Sequence, residues 1–106
     1  MVDATDLDTV RSSLEKFVET IRGSIRVSAV YLFGSYAKGK ATSDSDIDVL
    51  VLSPDFGEDR LENLVFLMKA RRGIDLRIEP HAFREEEFNE SHPFFQEVKD
   101  DLIQIA

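Results

Sequence analysis

The sequence predicts an α/β (α+β) domain, a small mixed β-sheet of three or more strands covered by helices in the order α-β-α-β-α-β-α. Three observations carry that expectation. Stretches with apolar residues at spacings of three and four alternate with short continuous apolar runs, the marks of amphipathic helices and of buried strands. Two of the runs are joined by a single helical stretch, a crossover that makes them parallel neighbours. A chain of 106 residues is enough for one core, so residues 1–106 are read as a single domain.

Residues 6–22 place Leu7, Val10, Leu14, Phe17, Val18 and Ile21 on one helical stripe, with Thr5 as N-cap and Gly23 just past the end. Residues 28–33 are an apolar run that stops at Gly34, a buried strand. Residues 34–45 are small and polar and read as a turn with at most a short helix. A second strand covers 46–52, apolar on both faces beyond its two aspartates, as in a sheet covered on both sides. Residues 58–72 carry Leu61, Leu64, Val65 and Met68 at helical spacing up to Gly73. A third strand, 74–79, alternates until Pro80, and residues 82–91 fit one short acidic turn of helix. Pro93 opens a last helix, with Phe95, Val98, Leu102 and Ile105 as its stripe.

The chain holds 13 Lys and Arg against 21 Asp and Glu, a net charge of -8. That balance argues against free nucleic acid or an anionic membrane as the partner, since either needs a basic face. The absence of cysteine excludes a disulfide framework, a thiolate zinc site and a cysteine nucleophile. No apolar run has the length of a membrane span, and the first residues lack the pattern of a signal peptide. The expected location is the cytoplasm.

Asp46 and Asp48 stand two apart at the start of the second predicted strand and so share one face. Asp75 stands at the start of the third. Parallel neighbours begin at the same edge of a sheet, so these three carboxylates are expected to converge. Buried carboxylates need a counter-charge. All-oxygen ligands suit Mg²⁺ or Mn²⁺, with Arg or Lys as the other solution. The bland alternative, turn and cap aspartates in a polar loop, suits Asp44 and extends to Asp46. It accounts poorly for Asp48 and Asp75. The Gly34-Ser35 turn lets backbone N–H groups approach a phosphate closely, with Lys38 or Lys40 adding charge. Gly34, Gly39 and Lys40 also have the spacing of a Walker A loop, but position 41 is Ala where that loop needs a hydroxyl.

Gly34-Ser35, ten residues, then Asp46-Ile47-Asp48 spell G-S-x10-D-x-D. This resembles the signature of the DNA polymerase β-like nucleotidyltransferase superfamily. The fuller stretch Phe33-Gly34-Ser35-Tyr36-Ala37-Lys38-Gly39, with Ser45-Asp46-Ile47-Asp48-Val49-Leu50-Val51, is similar to its minimal nucleotidyltransferase branch, the MntA-type antitoxins. Lys38 stands where that family usually has Arg, which keeps the charge and loses the bidentate fork. The resemblance implies a nucleotidyltransferase fold and two Mg²⁺ ions (or Mn²⁺) held by Asp46, Asp48 and Asp75, which are also the catalytic residues. It implies nucleotide contacts from Gly34, Ser35, Lys38 and Ser45. The reaction implied is transfer of NMP, AMP from ATP above all, to a hydroxyl with release of pyrophosphate. Members of the branch are often encoded beside small helical HEPN-domain proteins. The implied acceptor is therefore a tyrosine of a HEPN toxin, with this chain as the antitoxin. The competing expectation is an antitoxin that neutralises its partner by contact alone, and a weaker third is a nucleotide-sensing regulatory subunit. Oligomeric state is left open.

Other residues read as structural. His81 suits a loop and His92 a cap beside Pro93, with metal ligation the lesser alternative for each. Glu85, Glu86 and Glu87 suit a solvated face. Arg71 and Arg72 suit a helix C-terminus. Phe94 and Phe95 cannot both lie deep on one helix face, so one of them could mark an interface. Arg77, two residues from Asp75, could pair with that acid or approach the nucleotide.

Overall fold

The computed structural model describes residues 4–42 and 44–106, and side chains from Val10 onward. The expected cap Thr5 and stripe residue Leu7 have side chains outside that range. The elements are α1 (Ala4–Arg22), β1 (Ala29–Phe33), α2 (Gly34–Ala37), β2 (Ile47–Leu52), α3 (Arg60–Ala70), β3 (Ile78–Phe83), a 3-10 turn (Glu85–Glu87), α4 (Pro93–Val98) and β4 (Ile103–Gln104). The sheet order is β3-β2-β1-β4. β1 runs antiparallel to β2, while β3 is parallel to β2, as the single-helix crossover demands.

The two faces of the sheet bury different side chains because neighbours along a strand point opposite ways. Ile47, Val49 and Val51 of β2 join Val30, Leu32 and Ile78 in a core with Val10, Leu14, Phe17 and Ile21 of α1 and Leu67 of α3. On the opposite face Leu50 packs with Phe33, Phe83 and Val98, bordered by Phe88 and Phe94. Asp48 has the parity of Leu50, so it lies on this second, aromatic face, at the edge where β2 begins.

Four expectations are corrected. The third strand spans Ile78–Phe83, not 74–79, and continues through Pro80. Residues 74 and 75 still donate their N–H groups to the Arg71 carbonyl, so the end of α3 winds on where a strand was expected. Pro80 is tolerated because β3 is an edge strand. Its ladder opens with Ile47 N–H to the Arg77 carbonyl and closes with Ser53 N–H to the Phe83 carbonyl. Odd-numbered residues of β3 therefore turn their polar backbone toward β2, and Pro80 turns its own outward. The tail leaves the helix after Val98: Ile103 pairs with Leu32, and Ile105 N–H donates to the Val30 carbonyl. Satisfying the open edge of β1 outweighs a further helical turn. The stripe on α3 faces solvent, with Leu61, Leu64 and Val65 68%, 37% and 40% exposed, while Leu67 is fully buried. Finally, Glu87 is not solvated, since its carboxylate accepts from Arg84 N–H and Nε and from Arg60 Nη2.

Candidate active site

The site begins with a backbone constraint. β1 ends beside Asp48, whose Cα partner across the antiparallel ladder is Phe33. The next residue, Gly34, adopts φ +71, and a Cβ there would stand 2.2 Å from Asp48 Oδ2. Only glycine combines that dihedral with that approach. The chain then makes the single turn α2 (Gly34–Ala37), which begins at Gly34 against the carboxylate of Asp48.

Register supplies the next member. Asp48 pairs with Glu79 across the parallel ladder, and His81 follows two residues on, on the same face. Ligand atoms of Asp48, Glu79 and His81 all lie within 4.8 Å of one another. Burial raises Asp48 to about 6, helped by the negative charges of Glu79 and Asp46. The His81 ring is held by packing, edge-on to Phe33 at 5.1 Å and stacked on Phe94 at 5.8 Å. Its Nε2 is buried with no hydrogen-bond partner among the described residues, and burial lowers the pKa of the ring. Two converging carboxylates and an uncommitted imidazole are a donor set that fits a divalent cation.

The structure does not bring Asp75 into this group. Asp75 lies in the turn before β3, and its carboxylate is filled by other donors. Arg77 Nε and Nη2 donate at 3.0 and 2.8 Å, Arg77 N–H at 3.0 Å and Ser13 Oγ at 3.1 Å. The Arg77 side chain is the main cause that holds the Asp75 carboxyl below its ordinary value. Arg77 thus takes the pairing role of its two sequence alternatives. Glu79 was the last residue of the predicted strand and Pro80 its apparent end. The alternation through Ile78, Pro80 and Ala82 was the signal that the strand ran on.

Asp46 is exposed just before β2 and acts on Asp48 through charge. It lines a cleft of about 530 Å³ along the outer edge of β3, with Glu79, His81, Leu64 and Met68. Lys38 is exposed and lines a smaller cavity of about 170 Å³ with Phe33, Gly34 and Phe94. Ser45 braces the loop ahead of β2, its Oγ accepting from Thr42 N–H at 2.8 Å. His81 lies in β3 rather than in a loop, whereas His92 caps α4, its Nδ1 accepting from Phe94 N–H at 3.1 Å. Both Phe94 and Phe95 are packed, Phe94 on Phe83 and Phe95 on Phe88.

A mixed four-stranded sheet with a glycine-serine turn set against a strand-borne carboxylate defines a nucleotidyltransferase fold. The family model for the nucleotidyltransferase domain matches residues 11–103, and the chain belongs to that family. Two curated relatives come from Methanocaldococcus jannaschii, both candidate protein adenylyltransferases. One is 38% identical over 45 residues, which is 42% of this chain and 45% of the relative, so the match spans under half of that protein. The other is 33% identical over 67 residues, 56% of this chain and 78% of the relative. Among solved structures, a candidate nucleotidyltransferase from Sulfolobus solfataricus aligns with TM-score 0.61 at 22% identity, covering 92% of this chain and 77% of that one. A toxin–antitoxin structure with AMP-PNP aligns with TM-score 0.58 at 26% identity, covering 87% and 71%. A structure of tri-AMPylated Shewanella oneidensis HEPN toxin with MNT antitoxin aligns with TM-score 0.56 at 23% identity, covering 91% and 71%.

Proposed function

We propose that the chain is a metal-dependent nucleotidyltransferase that moves AMP from ATP to a hydroxyl of a partner protein. Asp46, Asp48 and Glu79 hold the divalent cation, Glu79 replacing Asp75 in that set. The observation that carries this is the convergence of Asp48, which lies against Gly34, with Glu79. Gly34 and Ser35 lie under the phosphates, and Lys38 adds charge from the exposed side. Mg²⁺, when bound, activates the attacking hydroxyl and stabilises the pyrophosphate leaving group. The acceptor oxygen forms a bond to the α-phosphorus, the bond from that phosphorus to the bridging oxygen breaks, and pyrophosphate departs. The hydroxyl proton passes to Glu79, which opens onto the cleft beside β3. Ser45, whose Oγ accepts from Thr42 N–H, keeps its hydroxyl hydrogen to donate to the nucleotide.

The acceptor is a tyrosine of a HEPN-type toxin, with this chain as the antitoxin of the pair in the cytoplasm. The resemblance of the Gly34-to-Val51 stretch supports this reading, as do the two adenylyltransferase relatives and the toxin–antitoxin structure. The test incubates the protein with α-labelled ATP, Mg²⁺ and the product of the neighbouring gene. Label enters the partner with the native chain and is lost with Asp46→Asn/Asp48→Asn. A second reading, neutralisation by contact alone, is favoured by the solvent-facing apolar stripe of α3. No label transfer by the native chain, with full neutralisation by the double mutant, selects it.

A further inference from the structure

We infer that His81 is a nitrogen ligand in the cation site, so that the site takes a first-row transition ion in preference to Mg²⁺. The inference deepens the proposed function and rests on its reading of Asp48 and Glu79 as ligands. Three observations support it. First, Glu79 and His81 are two apart on one strand and so face the same way, with Asp48 in register beside Glu79. Second, one imidazole nitrogen lies within 4.8 Å of ligand oxygens of both carboxylates. Third, Nε2 is buried with no hydrogen-bond partner among the described residues.

A buried ring nitrogen is ordinarily committed to a hydrogen bond, and one that is not needs an account. The ring is gripped by Phe33 and Phe94, whose faces and edges offer no acceptor or donor. What the grip does is fix the direction of the ring, the task that second-shell hydrogen bonds perform in other metal sites. Mg²⁺ is a hard ion that prefers oxygen and keeps much of its water. Imidazole raises affinity for transition ions far more than for Mg²⁺. An aspartate, a glutamate and a histidine on two adjacent strands therefore discriminate by chemistry where three carboxylates would not.

The full chain, freed of metal, is titrated with Mn²⁺ alone, and pulsed electron paramagnetic resonance reads the nitrogen coupling of the bound ion. A ¹⁴N modulation is expected, which changes to that of ¹⁵N when only the histidines are labelled. His81→Phe keeps an aromatic ring between Phe33 and Phe94 and leaves His92 in place. It abolishes the modulation and weakens Mn²⁺ on the order of tenfold or more, with little change for Mg²⁺. Bound Mn²⁺ without nitrogen coupling, or equal losses for both ions in the variant, overturns the inference and leaves the carboxylate site standing. No binding of either ion overturns both.

Discussion

Gly34 and Asp48 are packed so closely that a single added carbon on Gly34 would fall 2.2 Å from Asp48 Oδ2. The glycine holds φ +71 at the end of β1, and the aspartate sits opposite Phe33 across the ladder. The turn that would face a phosphate and the carboxylate that would face a cation are thus one unit.

Gly34→Ala is expected to lower transferase activity by about 10²-fold or more, because the new methyl displaces Asp48. Gly39 supplies the control. It has φ +72 but nothing among the described residues within 4 Å of its would-be Cβ. Gly39→Ala meets the same backbone penalty, roughly 1–2 kcal/mol, without the collision. Urea denaturation and initial rates on both variants separate strain from displacement.

The two candidates for the third acid part company in their readouts. Glu79→Gln is expected to cost on the order of 10²- to 10³-fold in rate with little change in stability. Asp75→Asn instead removes the charge that Arg77 and Ser13 address, costing roughly 1–2 kcal/mol of folding stability with a smaller effect on rate. A larger rate loss for Asp75→Asn than for Glu79→Gln would restore Asp75 to the site.

Acidity links this site to folding. Asp48 is raised from 3.8 to about 6 in the folded chain, so the native state holds that proton more tightly than the unfolded state does. The metal-free protein therefore loses stability as pH rises from 3.8 to about 6. A divalent cation relieves the charge, so it raises Tm more at pH 7 than at pH 5. Asp75 has the opposite sign: its pKa is lowered from 3.8, and its contribution is lost as pH falls below that value. Thermal melts with chelator and with added Mg²⁺ across this range check both limbs.

The exposed stripe of α3 predicts a division between folding and binding. Leu61→Ser lies at a position 68% exposed and changes stability by about 0.5 kcal/mol or less. Leu67→Ala removes a side chain with no exposed surface and costs about 2–5 kcal/mol. A combined Leu61→Ser/Leu64→Ser/Val65→Ser variant stays folded by circular dichroism and loses affinity for its partner by pull-down titration.

Local pattern alone specified much of this molecule. The stripe of α1, the burial of 47–52 between two covered faces, and the parallel pairing forced by one crossover helix were all legible, because each depends on residues close in sequence. So was the pairing of Gly34 with Asp48, whose spacing sits within one strand-turn-strand unit. Register and edges belong to tertiary structure. Which residue of β3 stands beside Asp48 depends on where that strand starts. Asp75 delays the start by binding Arg77 beside it and Ser13, 62 residues away. That choice puts Glu79 and His81 beside Asp48; the alternation within 78–83 shows that the strand runs on, but it does not fix the register. The same holds for Ile103 and Ile105, whose helical spacing yielded to the unpaired edge of β1, and for α3, whose apolar stripe was visible but whose direction was not. Side-chain pattern determines what can be buried; only the assembled sheet decides which face, edge and register do the burying.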